Sequence, residues 1–376
     1  MSEYITCTYF DTDKNQEITI KCDAIALYKY EPSHKGKRAN EKHVIQQTTT
    51  VFKLTDLPNA LRAHGKKHTK HPWELAAKMQ EKWFNSPAKV MPERIKKALD
   101  INWPTDLVLT DYYTLDWLEK VNITGVVTKG IEHLLKGKHR LRKAGIEMGW
   151  NREVPNCIYN KAAKHKLKTI NDEVYDELRK IYGDTKNFLL RTKDMQKFHK
   201  YFSFQNYSLF DAWDKAALAF GDRIMMDEFF ATVAGCSLIA AIGKYRMPSN
   251  KLVVESVYLY VRDTFDFNND RDKKGRETEN QYLGHWNHTG FNVFYLHQGL
   301  DNLNKIEDIT PKPLFASPFI AMPSTHLKSA KENIYFPVRN NHFNKWRILN
   351  KRGGDLLIFS SLKEYRCDPP IEVELK

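Results

Sequence analysis

Hydrophobic and polar positions follow a helical period through the middle of the chain. From Trp73 to Phe84 the apolar side chains recur three or four positions apart, and Pro72 precedes them, where a helix commonly begins. The same spacing returns further along the chain, at 112–121, 124–142, 171–182 and 209–220. The middle of the chain is therefore predicted to be mainly helical.

Both ends of the chain follow a pattern that is typical of β-strands. Short runs rich in β-branched and aromatic residues are bounded there by turn residues. Such runs lie at 4–10, 17–30, 251–267, 291–296, 333–338, 355–361 and 371–375. Together the patterns predict an α+β fold with a helical middle region and a β-rich, antiparallel C-terminal third. They divide the chain into a strand-rich N-terminal segment (1–70), a mainly helical region (71–222) and a β-rich C-terminal domain (223–376).

Composition is that of a globular protein. With 376 residues, 41% of them hydrophobic and 12% aromatic, the chain can build a sizeable core. Five scattered cysteines without a Cys-x-x-Cys pair disfavour a zinc knuckle or a disulfide framework. The N-terminus lacks the basic and apolar regions of a secretory signal, so we expect synthesis in the cytoplasm without a signal peptide.

The most apolar uncharged run, 229–243, is shorter than the roughly 20 residues that a helix needs to cross a bilayer. It is predicted to form a core helix or a buried strand pair, and no stable transmembrane segment is expected. Its small residues also suit a segment that inserts only after reaching a membrane, which is kept as an alternative.

The net charge of +13 is concentrated in one part of the chain. Residues 131–168 carry ten basic side chains, among them Lys136, Arg140 and Arg142, against three acidic ones. Such a patch attracts phosphates of a nucleic acid, an anionic lipid or a phosphorylated substrate. The alternative is a solvated face of two helices, since the run lacks interleaved aromatic residues for base stacking.

Candidate chemistry concentrates at the end of the strand predicted at 251–267. Asp263 and Asp266 leave this strand three positions apart, and they share one face only if the chain turns or bulges between them. Paired carboxylates there suit acid/base chemistry or cation binding. The alternative is structural: Asp263 accepts backbone N–H bonds in a turn, and Asp266 pairs with Arg262 or Arg276.

The loop after this strand also has the spacing of a calcium-binding loop. Oxygen-bearing side chains at Asp266, Asn268 and Asp270 open the series, which makes these three the candidate ligands of a divalent cation. Arg271 stands where such a loop requires glycine, and the basic residues of the loop oppose a cation.

A hairpin between the strand ending at Asp266 and the segment around Trp286 is expected to complete the site. It brings His285, a candidate general base, towards the two carboxylates. Phe265 and Trp286 are then the candidate aromatic contacts to a substrate. The structural alternative is that His285 is an ordinary surface or core histidine.

Three stretches, WELAAKMQEKWFNSPAKVMP, YLYVRDTFDFN with QYLGHW, and GGDLLIFS, resemble an uncharacterised bacterial family of unknown function. The resemblance runs from about Leu54 to the C-terminus. Members of that family accompany type VI secretion components, which implies an effector or an effector-associated protein. Locally, Asp263, Phe265 and Asp266 are similar to the Asp-x-Tyr-Asp motif of colicin M, which hydrolyses the peptidoglycan precursor lipid II. The His-Arg pair that follows this motif in colicin M is replaced by Asp272 and Lys273. The similarity implies acid/base or cation-binding roles for Asp263 and Asp266 at a pyrophosphate, with Arg276 stabilising developing charge.

The leading hypothesis is an antibacterial type VI secretion effector that hydrolyses a phosphoester or pyrophosphate of an envelope precursor. The resemblance implies delivery into a neighbouring cell, a cognate immunity protein, and spike or adaptor proteins as partners. One alternative is a toxin or binder directed at nucleic acid through residues 131–168. The other is a non-enzymatic protein, either membrane-perturbing or an adaptor of the secretion machine.

Overall fold

A computed structural model shows two compact units, each built from stretches that are distant in sequence. The first unit combines Met1–Val90 with Asp266–Asp355, and the second combines Met91–Phe265 with Leu356–Lys376. The structure describes residues 4–11, 16–23, 44–45, 53–121, 125–136, 163–209, 228–233, 235–268, 282–288, 290–292, 320–321 and 334–375. The division into a strand-rich segment (1–70), a mainly helical region (71–222) and a β-rich domain (223–376) stays a prediction.

Helices and strands of both units confirm the α+β class. Among the described residues the helices are α1 (Leu57–Thr69), α2 (Glu74–Asn85), α3 (Glu93–Lys96), α4 (Leu115–Val121), α5 (Val126–Lys136), α6 (Asp172–Lys180), α7 (Lys186–Thr192), α8 (Met195–Phe202), α9 (Glu228–Val233) and α10 (Asn340–Asn350). The strands are β1 (Tyr4–Asp11), β2 (Gln16–Asp23), β3 (Val44–Ile45), β4 (Val108–Leu109), β5 (Ser203–Ser208), β6 (Ser237–Ile242), β7 (Tyr245–Arg246), β8 (Lys251–Phe265), β9 (Tyr282–Asn287), β10 (Gly290–Asn292), β11 (Ile320–Ala321), β12 (Ile334–Arg339), β13 (Leu356–Phe359) and β14 (Lys363–Glu374).

The first unit contains two small sheets and an aromatic core. One sheet has the order β1-β2-β3 and the other the order β10-β9-β12-β11. Trp83 of α2 is fully buried, and its ring meets the edges of Phe267 and Phe343 at centroid distances of 5.1 and 5.3 Å. Phe267 and Phe343 stack with their centroids 3.5 Å apart. The helical spacing that ends at Phe84 thus points its largest side chain into this core.

The second unit is built on one sheet whose central strand is β8. The path β4-β13-β8-β6-β5 is extended by β14 and β7, which also pair with β8. Most pairings are antiparallel, and β13 with β4 is parallel. β8 has partners along both edges, and the side chains of Val257, Leu259 and Val261 on one of its faces are completely buried. The apolar pattern on both faces of this strand correctly indicated a central position.

Several predicted elements are refined by the structure. The apolar run 229–243 forms most of α9 and then β6, so it is a helix followed by a strand. The helical pattern at 209–220 lies almost entirely outside the described residues. No helix in the described part of the chain is both long enough and apolar enough to cross a membrane.

The expected hairpin between β8 and β9 is wrong. The end of β8 pairs with β13 on one side, and Arg262 pairs with Ser237 of β6 on the other. β9 pairs instead with β10 and β12 in the other unit. Sequence proximity favoured a hairpin, but β8 is paired with β6 and β7, which precede it, along one edge and with β13 and β14, from the C-terminal end of the chain, along the other.

Candidate functional site

Asp263 lies near the end of β8, inside the sheet of the second unit. It stands opposite Ile358 of β13 and is only 4% exposed. One of its carboxylate oxygens accepts the backbone N–H of Thr264 at 2.7 Å. A carboxylate excluded from water to this extent loses hydration that the surrounding protein must replace.

Two further ionisable side chains lie in the field of this carboxylate. Tyr113 is 3% exposed and Cys236 is 5% exposed. Burial, and secondly the charge of Asp263, raises the pKa of the Tyr113 hydroxyl and of the Cys236 thiol well above their usual values. Both groups therefore stay protonated and neutral at physiological pH.

Backbone hydrogen bonds explain how these residues reach the end of β8. Tyr113 is held through its carbonyl, which accepts the N–H of Ser361 at 2.9 Å, just beyond β13. Cys236 directly precedes β6, whose first residue is paired with Arg262. Tyr113 thus comes from the β13 side of the strand and Cys236 from the β6 side, at positions that no local sequence pattern connects.

The opposite face of β8 carries a second polar group. Arg262 donates hydrogen bonds to the carbonyls of Lys96, at 2.8 Å, and Ile95. His199 of α8 lies 2.8 Å from the Tyr260 hydroxyl through its Nδ1 atom. Burial, together with the nearby charge of Arg262, lowers the pKa of His199 to about 3. His199 is therefore neutral at physiological pH, and sequence reasoning did not identify it.

A buried ion pair lies in the first unit. Arg347 of α10 donates a hydrogen bond to Asp355, and the two side chains are 5% and 0% exposed. Trp83 donates its indole N–H to the same carboxylate at 3.1 Å, and the Asn268 amide donates to the other oxygen at 2.7 Å. The Arg347 guanidinium also lies over the Trp83 ring, 5.1 Å from its centroid.

Helix α10 fixes the segment that follows β8. Asn344 and Asn340 donate their side-chain amides to the carbonyls of Phe267 and Asn268, at 2.9 and 3.2 Å. Asp266 closes a local turn by accepting the backbone N–H of Asn268 at 3.1 Å. Residues 266–268 are therefore held by specific hydrogen bonds within the first unit.

A family model matches residues 52–375, which is most of the chain. The chain belongs to DUF6402, a family of unknown function. No curated protein and no solved structure matches the chain significantly. The expected membership of a family of unknown function is thus confirmed, whereas the bacterial origin of that family, its link to type VI secretion and the local similarity to colicin M stay predictions.

Within this DUF6402 domain the predicted site residues fall in different places. Phe265 ends β8 half-buried. In the other unit His285 lies in β9, opposite Pro337 and Asn292. Trp286 is 5% exposed and donates its indole N–H to Leu283 at 2.9 Å, so it is a core residue.

The other predicted residues of the DUF6402 domain belong to the basic region and to the loop after β8. Lys136 is the last residue of α5. Four predicted residues lie outside the described part of the chain: Arg140, Arg142, Asp270 and Arg276. The basic region is thus described only at its two ends, and its role in binding phosphate stays a prediction.

The predicted cation loop is described at two of its three candidate ligands. Asp266 accepts the local backbone N–H, and the side chain of Asn268 is engaged by Asp355 and, at 3.4 Å, by Arg347. Within the described ranges no three His, Cys, Asp or Glu side chains are grouped as a metal site. Asn268 serves here as a structural link between Arg347 and Asp355.

Proposed function

We propose that this DUF6402 chain is an antibacterial effector of type VI secretion that hydrolyses a phosphoester or pyrophosphate bond in an envelope precursor such as lipid II. One structural observation carries the catalytic part of the proposal. The Asp263 carboxylate is buried at the end of the central strand, and its charge acts on the phenol of Tyr113 and the thiol of Cys236. Buried ionisable groups that perturb one another are concentrated at functional sites, although structural networks contain them too.

A carboxylate in this position supplies what phosphoester hydrolysis requires. The oxygen of a water molecule bonds to phosphorus, the bond from phosphorus to the leaving oxygen breaks, and the carboxylate takes the proton of the water. Alternatively the carboxylate binds a divalent cation that neutralises the phosphate. Asp266, three positions further on, and Arg276 are the residues proposed to support this chemistry.

The effector part of the proposal rests on the sequence resemblance and on the excess of basic residues at 131–168. A positive region draws phosphate-bearing substrates by long-range attraction. The implied partners are a cognate immunity protein and the spike or adaptor proteins of the secretion machine. The implied route leads from the bacterial cytoplasm into a neighbouring cell.

Expression in a susceptible bacterium tests the proposal. The chain is produced in the cytoplasm, or in the periplasm behind an added leader, and surviving cells are counted. We expect killing from the periplasm, and a loss of at least tenfold in killing for Asp263→Asn and Asp266→Asn. Asp176→Asn is the matched control, because Asp176 is a surface carboxylate of the same unit as Asp263, paired with Arg179. Circular dichroism of each purified variant shows whether it is folded.

The outcomes separate the alternatives. Survival in both compartments, or full killing by a folded Asp263→Asn variant, contradicts the proposal. Killing from the cytoplasm, with binding to DNA or RNA that weakens steeply with salt, favours the nucleic-acid hypothesis. Leakage of dye from liposomes favours a membrane-perturbing toxin, and harmless expression with co-purification of a spike protein favours an adaptor.

A further inference from the structure

Helix α10 buries polar side chains and exposes apolar ones. Its buried residues include Asn340, His342 and Arg347. By contrast, Ile348 and Leu349 are 76% and 63% exposed. A single exposed apolar side chain is common on proteins, but a helix on a protein surface normally turns its apolar residues towards the core. Two neighbouring aliphatic side chains in water therefore need an explanation other than packing within the first unit.

Exposed apolar side chains of the first unit are concentrated beside the end of this helix. Three large apolar residues are strongly exposed in the described part of that unit, namely Ile348, Leu349 and Val90, which is 56% exposed. Val90 is the last residue of the segment 86–90, which backbone hydrogen bonds hold against residues 352–355 directly after α10. The three side chains thus belong to adjoining segments of one unit.

The exposed residues around Ile348 and Leu349 are basic. Lys345 precedes these two residues by three and four positions, so it lies on the same face of α10, and it is exposed. Lys351 and Arg352 follow the helix and are exposed as well. The α10 surface is defined here as Lys345, Ile348, Leu349, Lys351 and Arg352.

Charge and shape together indicate what the α10 surface binds. The sequence has no acidic residue at 340–354 or in the adjoining stretch 82–90, so the surface is positive and complements an anionic partner. Cations beside apolar side chains match the interface of an anionic bilayer, where the cations meet lipid phosphates and the apolar groups reach the acyl boundary. A bilayer interface adapts to a projecting helix face, whereas a protein partner must provide a groove of matching shape.

We propose that the α10 surface docks on a membrane that contains anionic lipid. Ile348 and Leu349 enter the boundary between headgroups and acyl chains, while Lys345, Lys351 and Arg352 contact lipid phosphates. The helix lies on the membrane and does not cross it. The inference goes beyond the proposed function and does not depend on it, because it requires neither hydrolysis nor toxicity.

Vesicle flotation with the full chain tests the apolar contribution. The vesicles contain either phosphatidylcholine mixed with phosphatidylglycerol, which is anionic, or phosphatidylcholine alone. We expect the wild type to float with the anionic vesicles only. Ile348→Ser combined with Leu349→Ser should weaken this binding about tenfold or more, because less apolar area leaves water. Leu99→Ser combined with Leu190→Ser is the matched control: both leucines lie in the second unit, 64% and 66% exposed, and this variant should bind as the wild type does.

A second pair of variants tests the charge. Lys345→Gln combined with Lys351→Gln should weaken binding to the anionic vesicles about fivefold or more, since each cation near the lipid phosphates contributes to binding. Lys97→Gln combined with Lys180→Gln removes the same charge at lysines of the second unit that are 67% and 64% exposed. This control should weaken binding by less than about twofold, because charges farther from the contact are screened by salt.

Leu349→Trp is a test that misfolding cannot imitate. Tryptophan favours the interface between membrane and water, so we expect this variant to bind the anionic vesicles about twofold more tightly or better. Circular dichroism and urea denaturation of every variant show whether it is folded. Unchanged or weaker binding by folded Leu349→Trp contradicts insertion of this side chain.

The inference is overturned by a wild type that does not bind the anionic vesicles. It is also overturned if the folded Ile348→Ser, Leu349→Ser variant binds as the wild type does, because binding then belongs to another surface, such as 131–168. Dimers of the wild type that this variant loses in light scattering, without vesicle binding, assign the α10 surface to a second copy of the chain. Binding of polyglutamate that needs Lys345 and Lys351 but not the two apolar residues assigns it to an acidic protein.

Discussion

The guanidinium of Arg347 and the carboxylate of Asp355, eight residues apart in sequence, form a hydrogen-bonded ion pair in the interior of the first unit. Burial lowers the pKa of Arg347, and the Asp355 carboxylate opposes this effect. Trp83 and Asn268 also donate hydrogen bonds to this carboxylate. The pair therefore connects α2, α10 and the segment after β8 in a single polar cluster.

Breaking this pair on one side should be more harmful than neutralising both partners. Arg347→Met leaves the Asp355 charge buried without its counter-ion, and we expect it to lower the free energy of unfolding by about 3–5 kcal/mol. Arg347→Met combined with Asp355→Asn should recover part of that loss, because no charge is then buried and the amide oxygen still accepts from Trp83. Urea denaturation of both single variants and the double variant measures the coupling.

The exposed pair Arg179–Asp176 serves as the control for that cycle. Its side chains are 57% and 61% exposed, so Arg179→Met should cost only about 0.5 kcal/mol. A coupling for Arg347 and Asp355 no larger than that of the exposed pair would contradict the role assigned to the buried cluster.

Gly353 should resist replacement by alanine more strongly than Gly125. Both have positive φ angles, +98° and +68°, which cost a side chain roughly 1–2 kcal/mol. A Cβ atom at Gly353 would also lie 2.5 Å from the Trp83 ring, whereas no described residue lies within 4 Å of one at Gly125. We therefore expect Gly353→Ala to lower the free energy of unfolding by about 1–3 kcal/mol more than Gly125→Ala, measured in urea. Equal losses would show that Trp83 can move aside.

His342 should make the first unit less stable in acid. Burial, followed by the charges of Arg339 and Lys345, lowers its pKa from 6.5 to about 3. Its Nδ1 atom accepts the backbone N–H of Arg339 at 3.1 Å at the start of α10, and protonation would remove that acceptor. Between pH 6.5 and about 3 the unfolded chain binds the proton and the folded chain does not, so stability is complete above pH 6.5 and falls as the pH is lowered.

Replacing His342 by glutamine tests this effect, because glutamine also accepts the N–H at this helix position but does not titrate. In that pH window we expect the slope of unfolding free energy against pH to decrease by up to about 1.4 kcal/mol per pH unit. The same slope in wild type and His342→Gln would show that His342 is not protonated on unfolding.

Cys236 and Cys367 should be inert in the folded protein. They are 5% and 8% exposed, and burial raises the pKa of Cys367 to about 11 and that of Cys236 well above its usual value. Because the thiolate is the reactive form, we expect negligible labelling by a thiol reagent at pH 8 and full labelling in denaturant. A variant with serine at Cys7, Cys22 and Cys157 isolates the two thiols. Rapid labelling of this folded variant would show that one of them is accessible.

The sequence predicted where helices and strands lie along this chain better than it predicted which of them pair or pack together. The apolar spacing before Phe84 identified α2, and the strand pattern from Lys251 onward identified β8 and its central position. The hairpin from β8 to β9 was wrong because periodicity reports which face of a strand is buried, not which strand lies beside it. Likewise Asn268, whose position matched the spacing of a cation-binding loop, donates a hydrogen bond from its side chain to Asp355.

The sequence by itself determined the α+β class, the helical middle and the presence of a carboxylate at the end of the longest strand. These follow from residues close together in the chain, whose spacing decides which face is buried. Only the tertiary structure decided that Tyr113 and Cys236 share the environment of Asp263, and that Arg347 and Asp355 form a buried pair with Trp83. These relationships depend on strand pairing and burial among distant segments, because a buried polar group must find its partners wherever the whole fold brings them.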